Sequence, residues 1–320
     1  MKRVDPPRDS ARRAATSAPP APGVSERMTA AALLPHPSSG GRWRRAWRPA
    51  LVAVLALATI YWLGSQKRPT GAAAGSSLLR SVAADSPSAD RGDPTRRFRI
   101  ATFNIHGARG ADGTRDIERT ARQLAGYDLV GLNEAHGGSL LVRGDQAEQL
   151  GARLGQAWLF APTERRWGRD DFGNGLLCRR ADVPWQRIPL ANPSSRSHRN
   201  FIWARLPVGK QTVNVLVTHL ERGDTAERHL QLHSLAELFL AFAGPVVLMG
   251  DLNSTADDRE LQQLLAAPGV YDALAEKQIQ SPSRIDWILV RGLNVRDAGL
   301  VDQGASDHPL AWAELELADN

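Results

Sequence analysis

The chain has 320 residues, enough for one large domain or two ordinary ones. Of its 40 Lys+Arg and 34 Asp+Glu, residues 1–95 hold 14 and 6, which leaves 26 and 28 in residues 96–320. The basic balance therefore belongs to the N-terminal part. It excludes a broadly basic nucleic-acid surface on the rest, though not a local basic groove. A single cysteine, Cys178, excludes an internal disulfide and any Cys/His zinc spacing. It follows Gly175-Leu176-Leu177 and reads as a buried strand thiol.

Residues 1–41 are rich in Pro, Ala, Ser, Gly and Arg and lack apolar periodicity. Such a segment cannot bury enough surface to offset the entropy of ordering, so a disordered basic tail is expected over 1–48. No charge falls between Arg48 and Lys67. As a helix, residues 49–66 would rise ~27 Å, just short of a ~30 Å hydrocarbon core, and the flanking Arg48 and Lys67 can snorkel. Trp43 and Trp47 at one end, with Tyr61 and Trp62 near the other, match the aromatic belts of a membrane span. A cleaved signal peptide is the competing reading, since Ala72-Ala73-Ala74 offers a small-residue cleavage site. That site lies beyond Lys67-Arg68, which favours an uncleaved anchor. The ten Lys+Arg of residues 1–48 place the N-terminus inside. In a bacterium this is a single-pass inner-membrane protein with a periplasmic C-terminal domain. Residues 67–96 read as a flexible Gly/Ala/Ser/Pro linker.

From residue 97 onward, short apolar strands alternate with helices. Strands are predicted at 99–105, 128–132, 176–179, 201–206, 212–218, 245–249, 287–290 and 311–317, and helices at 116–125, 147–154, 225–241 and 257–267. Residues Val213, Val215 and Val217 share one strand face, and Leu232, Leu235, Leu238 and Phe239 form one helical stripe. Asp257 and Glu260 give the last helix an acidic start. The mixture specifies a layered α/β domain, 97–320, with mixed sheets.

Six polar groups stand at predicted strand ends, where α/β folds place chemistry. Gly250-Asp251-Leu252-Asn253 presents a carboxylate and an amide two residues apart, or else forms a structural Asx turn. Ser306-Asp307-His308-Pro309 sets a histidine beside a carboxylate, suited to acid–base work. Asp286, in Arg284-Ile285-Asp286-Trp287, opens an apolar strand and needs a partner, either His308 or a cation such as Arg284. Asn133-Glu134, Asn104 in Thr102-Phe103-Asn104, and His219 in Thr218-His219-Leu220 complete the set. Each alone is weak, but six in this order are not. Oxygen ligands dominate, with Glu134 the direct ligand and Asn104 a neutral ligand or an orienter. That suits Mg²⁺ or Mn²⁺ better than Zn²⁺.

The order Asn104, Glu134, His219, Asp251/Asn253, Asp286, Asp307/His308 resembles the endonuclease/exonuclease/phosphatase superfamily over residues 98–318. The resemblance implies a four-layer α/β sandwich with two packed mixed β-sheets, and a divalent-metal-dependent phosphoester hydrolase. By the same resemblance Glu134 binds the metal, with Asn104 beside it and Asp307 completing the acidic surroundings. Asp251 positions or deprotonates the attacking water, Asn253 and His219 hold phosphate oxygens, and His308, oriented by Asp286, transfers a proton. The family commonly has Gln where Asn133 stands. Asn174 and Arg199 occupy places where relatives often carry substrate-side polar groups, against readings as a turn residue and a solvated charge. The substrate is a phosphodiester, either nucleic acid or a phospholipid head group, with a phosphomonoester as the alternative. A membrane-tethered binding module without catalysis is the non-enzymatic reading. No protein partner is implied.

Overall fold

The computed structural model describes residues 40–79, 97–138, 144–167, 169–194 and 197–318. Most of the tail expected to be disordered, and residues 80–96 of the expected linker, lie outside them. The chain divides into two units, Met1–Ala56 and Leu57–Asn320. Among the described residues, the first unit is the opening part of helix α1, Gly40–Ser65. Within α1, Trp47–Ser65 has a mean hydropathy of 1.4 and nothing buried, so this helix is long and apolar enough to cross a membrane.

The second unit holds two seven-stranded sheets. One runs in the order β1 (Arg68–Pro69), β5 (Ala157–Arg166), β6 (Arg169–Cys178), β4 (Leu129–His136), β3 (Arg97–Asn104), β14 (Leu310–Leu317), β13 (Leu293–Val301). The other runs β11 (Val270–Asp272), β12 (Asp286–Arg291), β10 (Val246–Asp251), β9 (Gln211–His219), β8 (Asn200–Val208), β7 (Trp185–Pro189), β2 (Ala73–Gly75). Among the described residues, β3–β4 and β9–β10 are the parallel pairs, so both sheets are mixed. Alternation along the strands builds three cores. Ile100, Leu129 and Leu176 of the first sheet meet Val213, Val215, Val217 and Met249 of the second in the inter-sheet core. Residues one step along point outward. Phe103, Val130 and Leu177 pack under helices α2 (Ile117–Gln123) and α3 (Gln146–Leu154). Leu216, Leu248 and Trp287 pack under α4 (Thr225–Ala241) and α5 (Arg259–Leu265). The result is the expected four-layer α/β sandwich.

Each of α2 to α5 opens on an aspartate whose carboxylate accepts a backbone N–H of its first turn: Asp116, Asp145, Asp224 and Asp258. The cap of α5 is therefore Asp258, one residue after the expected acidic start. From β3 onward, four whole strands and the first half of a fifth escape the periodicity. Strand β5 and the first half of β6 are broken by Pro162 and by polar residues. Strand β13 carries Arg296 and Asp297 at a bulge. Strands β7 and β11 are short and lie at or near a sheet edge.

Residues 68–79 differ from a free tether. Strand β1 pairs with β5, with Pro69 opposite Glu164, and β2 pairs with β7, with Ala74 opposite Gln186. Leu79 bridges Trp158, and Leu78 is buried in the inter-sheet core. Extended small residues can be added to an open sheet edge whatever their composition, because the backbone supplies the hydrogen bonds.

Candidate active site

Sheet register gathers the polar strand ends. Asp251 lies beside His219 of β9 in parallel register and beside Asp286 of β12 in antiparallel register. In the facing sheet Asn104 lies beside Asn133. The two sheets meet through Asn104, whose Nδ2 donates to Asp251 Oδ2 at 3.0 Å and to Glu134 Oε1 at 3.2 Å.

Local backbone shapes aim these groups. Gly250 has a φ of +142°, and a Cβ there would sit 1.8 Å from the Thr218 carbonyl oxygen, so β10 can approach β9 only at a glycine. Asp251 Oδ1 accepts the Asn253 N–H at 2.9 Å. That closes an Asx turn. Asn253 adopts φ 50° and donates through Nδ2 to the Leu220 carbonyl at 3.0 Å. The Asx turn, one of the two readings that the sequence allowed, is present. Opposite, β4 pairs Leu132 with Gly175 and Ala135 with Gly173, so one extra residue bulges out. The bulge holds Glu134 at φ 56°, a left-handed conformation that non-glycine residues rarely take. It points the carboxylate at Asn104.

His308 Nδ1 lies 2.7 Å from Asp286 Oδ2, and its Nε2 lies 3.9 Å from Asp251 Oδ2. Asp286 therefore pairs with His308 rather than with Arg284, which pairs with Asp272. Burial works against a charged His308. The hydrogen bond and charge of Asp286, then Asp251 and Asp307, outweigh it and raise the ring to about 9. Asp251 is buried, and burial first and Asp286 second raise its carboxyl to about 7, against His308, Asn104 and Asn253. His219 Nε2 is 3.5 Å from Asp251 Oδ2. This ring goes the other way. Burial, then Arg199, His308 and Arg222, hold it well below the usual imidazole range. Asp307 lies at the rim with its side chain 55% exposed, 3.2 Å from His106 Nδ1. The backbone N–H of His106 donates to Asn104 Oδ1 at 3.1 Å.

Among the described residues, one group of acidic and histidine side chains could hold a cation. Asp251, Asp286 and His308 each bring a ligand atom within 4.8 Å of the others. Glu134 and Asp307 lie outside that group, and Asn104 turns Nδ2 rather than Oδ1 toward Glu134, so an oxygen contact from Asn104 to a cation beside Glu134 requires the amide to turn over. Mg²⁺ typically takes one or two protein carboxylates and keeps waters and substrate oxygens for its remaining places. Asp286 Oδ1, buried and without a hydrogen-bond partner, is a further acceptor in the same centre.

Beneath the site runs an amide ladder that single-sequence reading misses. Asn133 Oδ1 accepts the Asp251 N–H at 2.9 Å, and its Nδ2 donates to the Thr218 carbonyl at 2.9 Å and to Asn174 Oδ1 at 2.8 Å. Asn174 Nδ2 reaches the Asn200 carbonyl at 2.9 Å. Asn174 is thus neither a turn residue nor a substrate contact, but a fully buried link within β6. Arg199 is buried too, against His219 and Glu221, and is not a solvated charge. Nothing in the local sequence marks Asn200 or Glu221. Of the histidines without an expected role, His106 joins Asn104 and Asp307, His136 packs edge-on to Phe172, and His198 meets Asn192.

The sequence profile of the endonuclease/exonuclease/phosphatase family matches residues 101–308, from β3 to His308. The chain belongs to this family. Members of the endonuclease/exonuclease/phosphatase family are phosphoesterase hydrolases. A family protein from Beutenbergia cavernae is similar in structure, with 22% identity and a TM-score of 0.58 over 70% of this chain and 72% of that one. D. rerio TDP2, complexed with a single-strand DNA product, is 18% identical with a TM-score of 0.53 over 69% and 99%. A mannosyl-6-phosphatase from Bacteroides thetaiotaomicron is 16% identical with a TM-score of 0.50 over 68% and 99%. At these identities the likeness carries the fold. No curated protein matches the chain.

Proposed function

We propose that residues 97–320 form a divalent-metal-dependent phosphodiester hydrolase in which water attacks phosphorus. The observation that carries this reading is the convergence on Asp251 Oδ2 of Asn104, His219 and His308, the last paired with Asp286. A buried carboxyl lifted toward neutrality is a good proton acceptor for water, and an imidazolium lifted above neutrality is a good donor to a leaving oxygen. Asp251 orients the water and takes its proton. Asn253 and His219 donate hydrogen bonds to non-bridging oxygens. His308, fixed by Asp286, protonates the leaving group. Glu134 and Asn104, with Asp307, would hold Mg²⁺ or Mn²⁺. When bound, the cation supplies positive charge against the negative charge that develops on the phosphoryl oxygens.

The near balance of acidic and basic residues over 96–320 supports a substrate other than long duplex DNA, whose binders usually neutralise several phosphates. Helix α1 supports a second reading, a phosphodiester in a lipid head group, because it would hold the domain at a bilayer. We further infer a single-pass bacterial inner-membrane protein with the catalytic domain in the periplasm. The assay is hydrolysis of bis-p-nitrophenyl phosphate by the full-length protein in detergent with Mg²⁺ or Mn²⁺, beside plasmid DNA, single-stranded RNA and sphingomyelin vesicles. Turnover that persists in Asp251→Ala and His308→Ala, or in chelator, defeats the mechanism. Fractionation tests the anchor, which is lost if the protein is found soluble and truncated near Ala74.

A further inference from the structure

Arg199 stands just before β8 and is 9% exposed. One of its terminal nitrogens lies 3.2 Å from His219 Nδ1, its Nε lies 3.5 Å from Glu221 Oε2, and the guanidinium carbon lies 5.9 Å from the centre of the Phe172 ring. Glu221 is itself fixed by the Ser197 hydroxyl and by the Gly223 N–H. A guanidinium has five N–H donors and no acceptor. Its contact with His219 can be a hydrogen bond only if Nδ1 offers a lone pair. The one proton of the neutral ring then sits on Nε2, the nitrogen that faces Asp251 at 3.5 Å. A second proton on Nδ1 would set N–H against N–H and place an imidazolium beside a guanidinium in a buried site.

His308 is held in the opposite sense. A carboxylate can only accept, so the 2.7 Å contact with Asp286 places a proton on His308 Nδ1. Two histidines thus flank one carboxylate, the first keyed by a donor and the second by an acceptor.

We propose that Arg199 is a positioning residue that locks His219 in its neutral Nε2–H tautomer, giving the centre a fixed N–H donor while His308 alone carries the mobile proton. The lock follows from the contact itself. Its use on a phosphoryl oxygen rests on the phosphoester reading above. A ring free to exchange tautomers would present a lone pair to the phosphoryl oxygen part of the time, and that contact is repulsive.

Nitrogen-15 imidazole spectra of the full-length protein in detergent, without substrate, report the tautomer directly. Wild-type His219 is expected to show a protonated Nε2 and an unprotonated Nδ1 at neutral pH. A ring protonated on Nδ1, or on both nitrogens, overturns the proposal whatever any variant does. Arg199→Met removes the donor and is expected to mix the tautomers. It should also lower kcat on bis-p-nitrophenyl phosphate by roughly 10–100-fold, somewhat less than losing a whole oxyanion donor, with KM changing far less. Arg199→Lys keeps a donor and should recover most of both signals. A folded Arg199→Met that retains a single Nε2–H tautomer overturns the lock. If Arg199→Met does not fold, the wild-type spectrum still decides. A locked ring in a protein with no phosphodiesterase activity supports the lock and counts against the phosphoester reading instead.

Discussion

Asp251 and His308 must hold opposite protonation states for the proposed chemistry, and their surroundings push them that way. Activity then requires Asp251 ionised, above about 7, and His308 protonated, below about 9. A plot of kcat/KM against pH is expected to be a bell with limbs near those values. Asp286→Asn removes the hydrogen bond and charge that raise His308, so its alkaline limb should move to lower pH and kcat should fall by about 10²-fold or more. An alkaline limb unmoved in that variant would show that His308 is not the acid. The same raised value contributes to stability. For a group raised from 6.5 to about 9 on folding, the contribution is complete below 6.5 and is lost as pH rises through 9. Denaturant midpoints measured from pH 6 to 10 should therefore fall across that window in wild type, and less in Asp286→Asn. Each of these residues was legible in the sequence, because a polar residue after an apolar run stands out. Arg199 and Glu221 were legible only as ordinary charges, since what defines them is a partner on another element.

At the scale of elements, the site depends on backbone that periodicity does not encode. The bulge that turns Glu134 inward adds one residue to β4, and only the partner register with β6 reveals it. The Gly250 approach to Thr218 is written in the sequence as a glycine, but the reason for it is a neighbouring strand. Gly250→Ala would force a Cβ against a carbonyl oxygen at a φ that L-residues avoid. A loss of about 3 kcal/mol or more is expected, read as a lowered denaturant midpoint. Asn133→Ala tests the amide ladder. It would leave the Asp251 N–H, the Thr218 carbonyl and Asn174 Oδ1 buried without partners. At ~1–3 kcal/mol for each orphaned group, partly relieved by water, a loss of roughly 2–4 kcal/mol should follow. If Asn133→Ala unfolds at the wild-type midpoint, the ladder is not structural. Strands β5 and β13 escaped the reading for a related reason: proline in the one and charged residues at a bulge in the other interrupt alternation without ending backbone pairing.

For the whole molecule, residues 68–79, just after α1, belong to the sandwich. Strand β1 extends one sheet and β2 the other, while Leu78 enters the core between them. A fragment starting at residue 97 loses all three contacts. It is expected to melt several degrees below one starting at residue 67, since about 1 kcal/mol shifts a domain above 200 residues by roughly 2–4 °C. Equal melting temperatures would return the segment to the status of a tether. The fold class and the layer order were open to the sequence because strand and helix periods alternate. The strap was not, because Ala73-Ala74-Gly75 has the composition of a linker.

The ladder under the site also sets how the protein ages. Asn174 is followed by Gly175, the step at which an asparagine amide is most readily lost to attack by the next backbone nitrogen. In the folded chain both residues lie in β6, between β4 and β5, and the extended backbone keeps that nitrogen away from the side-chain carbonyl. Each unfolding excursion removes this protection. The product, Asn174→Asp, would set a carboxylate oxygen against the Asn200 carbonyl and Oδ1, both of which now accept from the Asn174 amide. Heat-treated samples should therefore accumulate a deamidated form that no longer refolds to activity, and the catalytic centre would record its own thermal history.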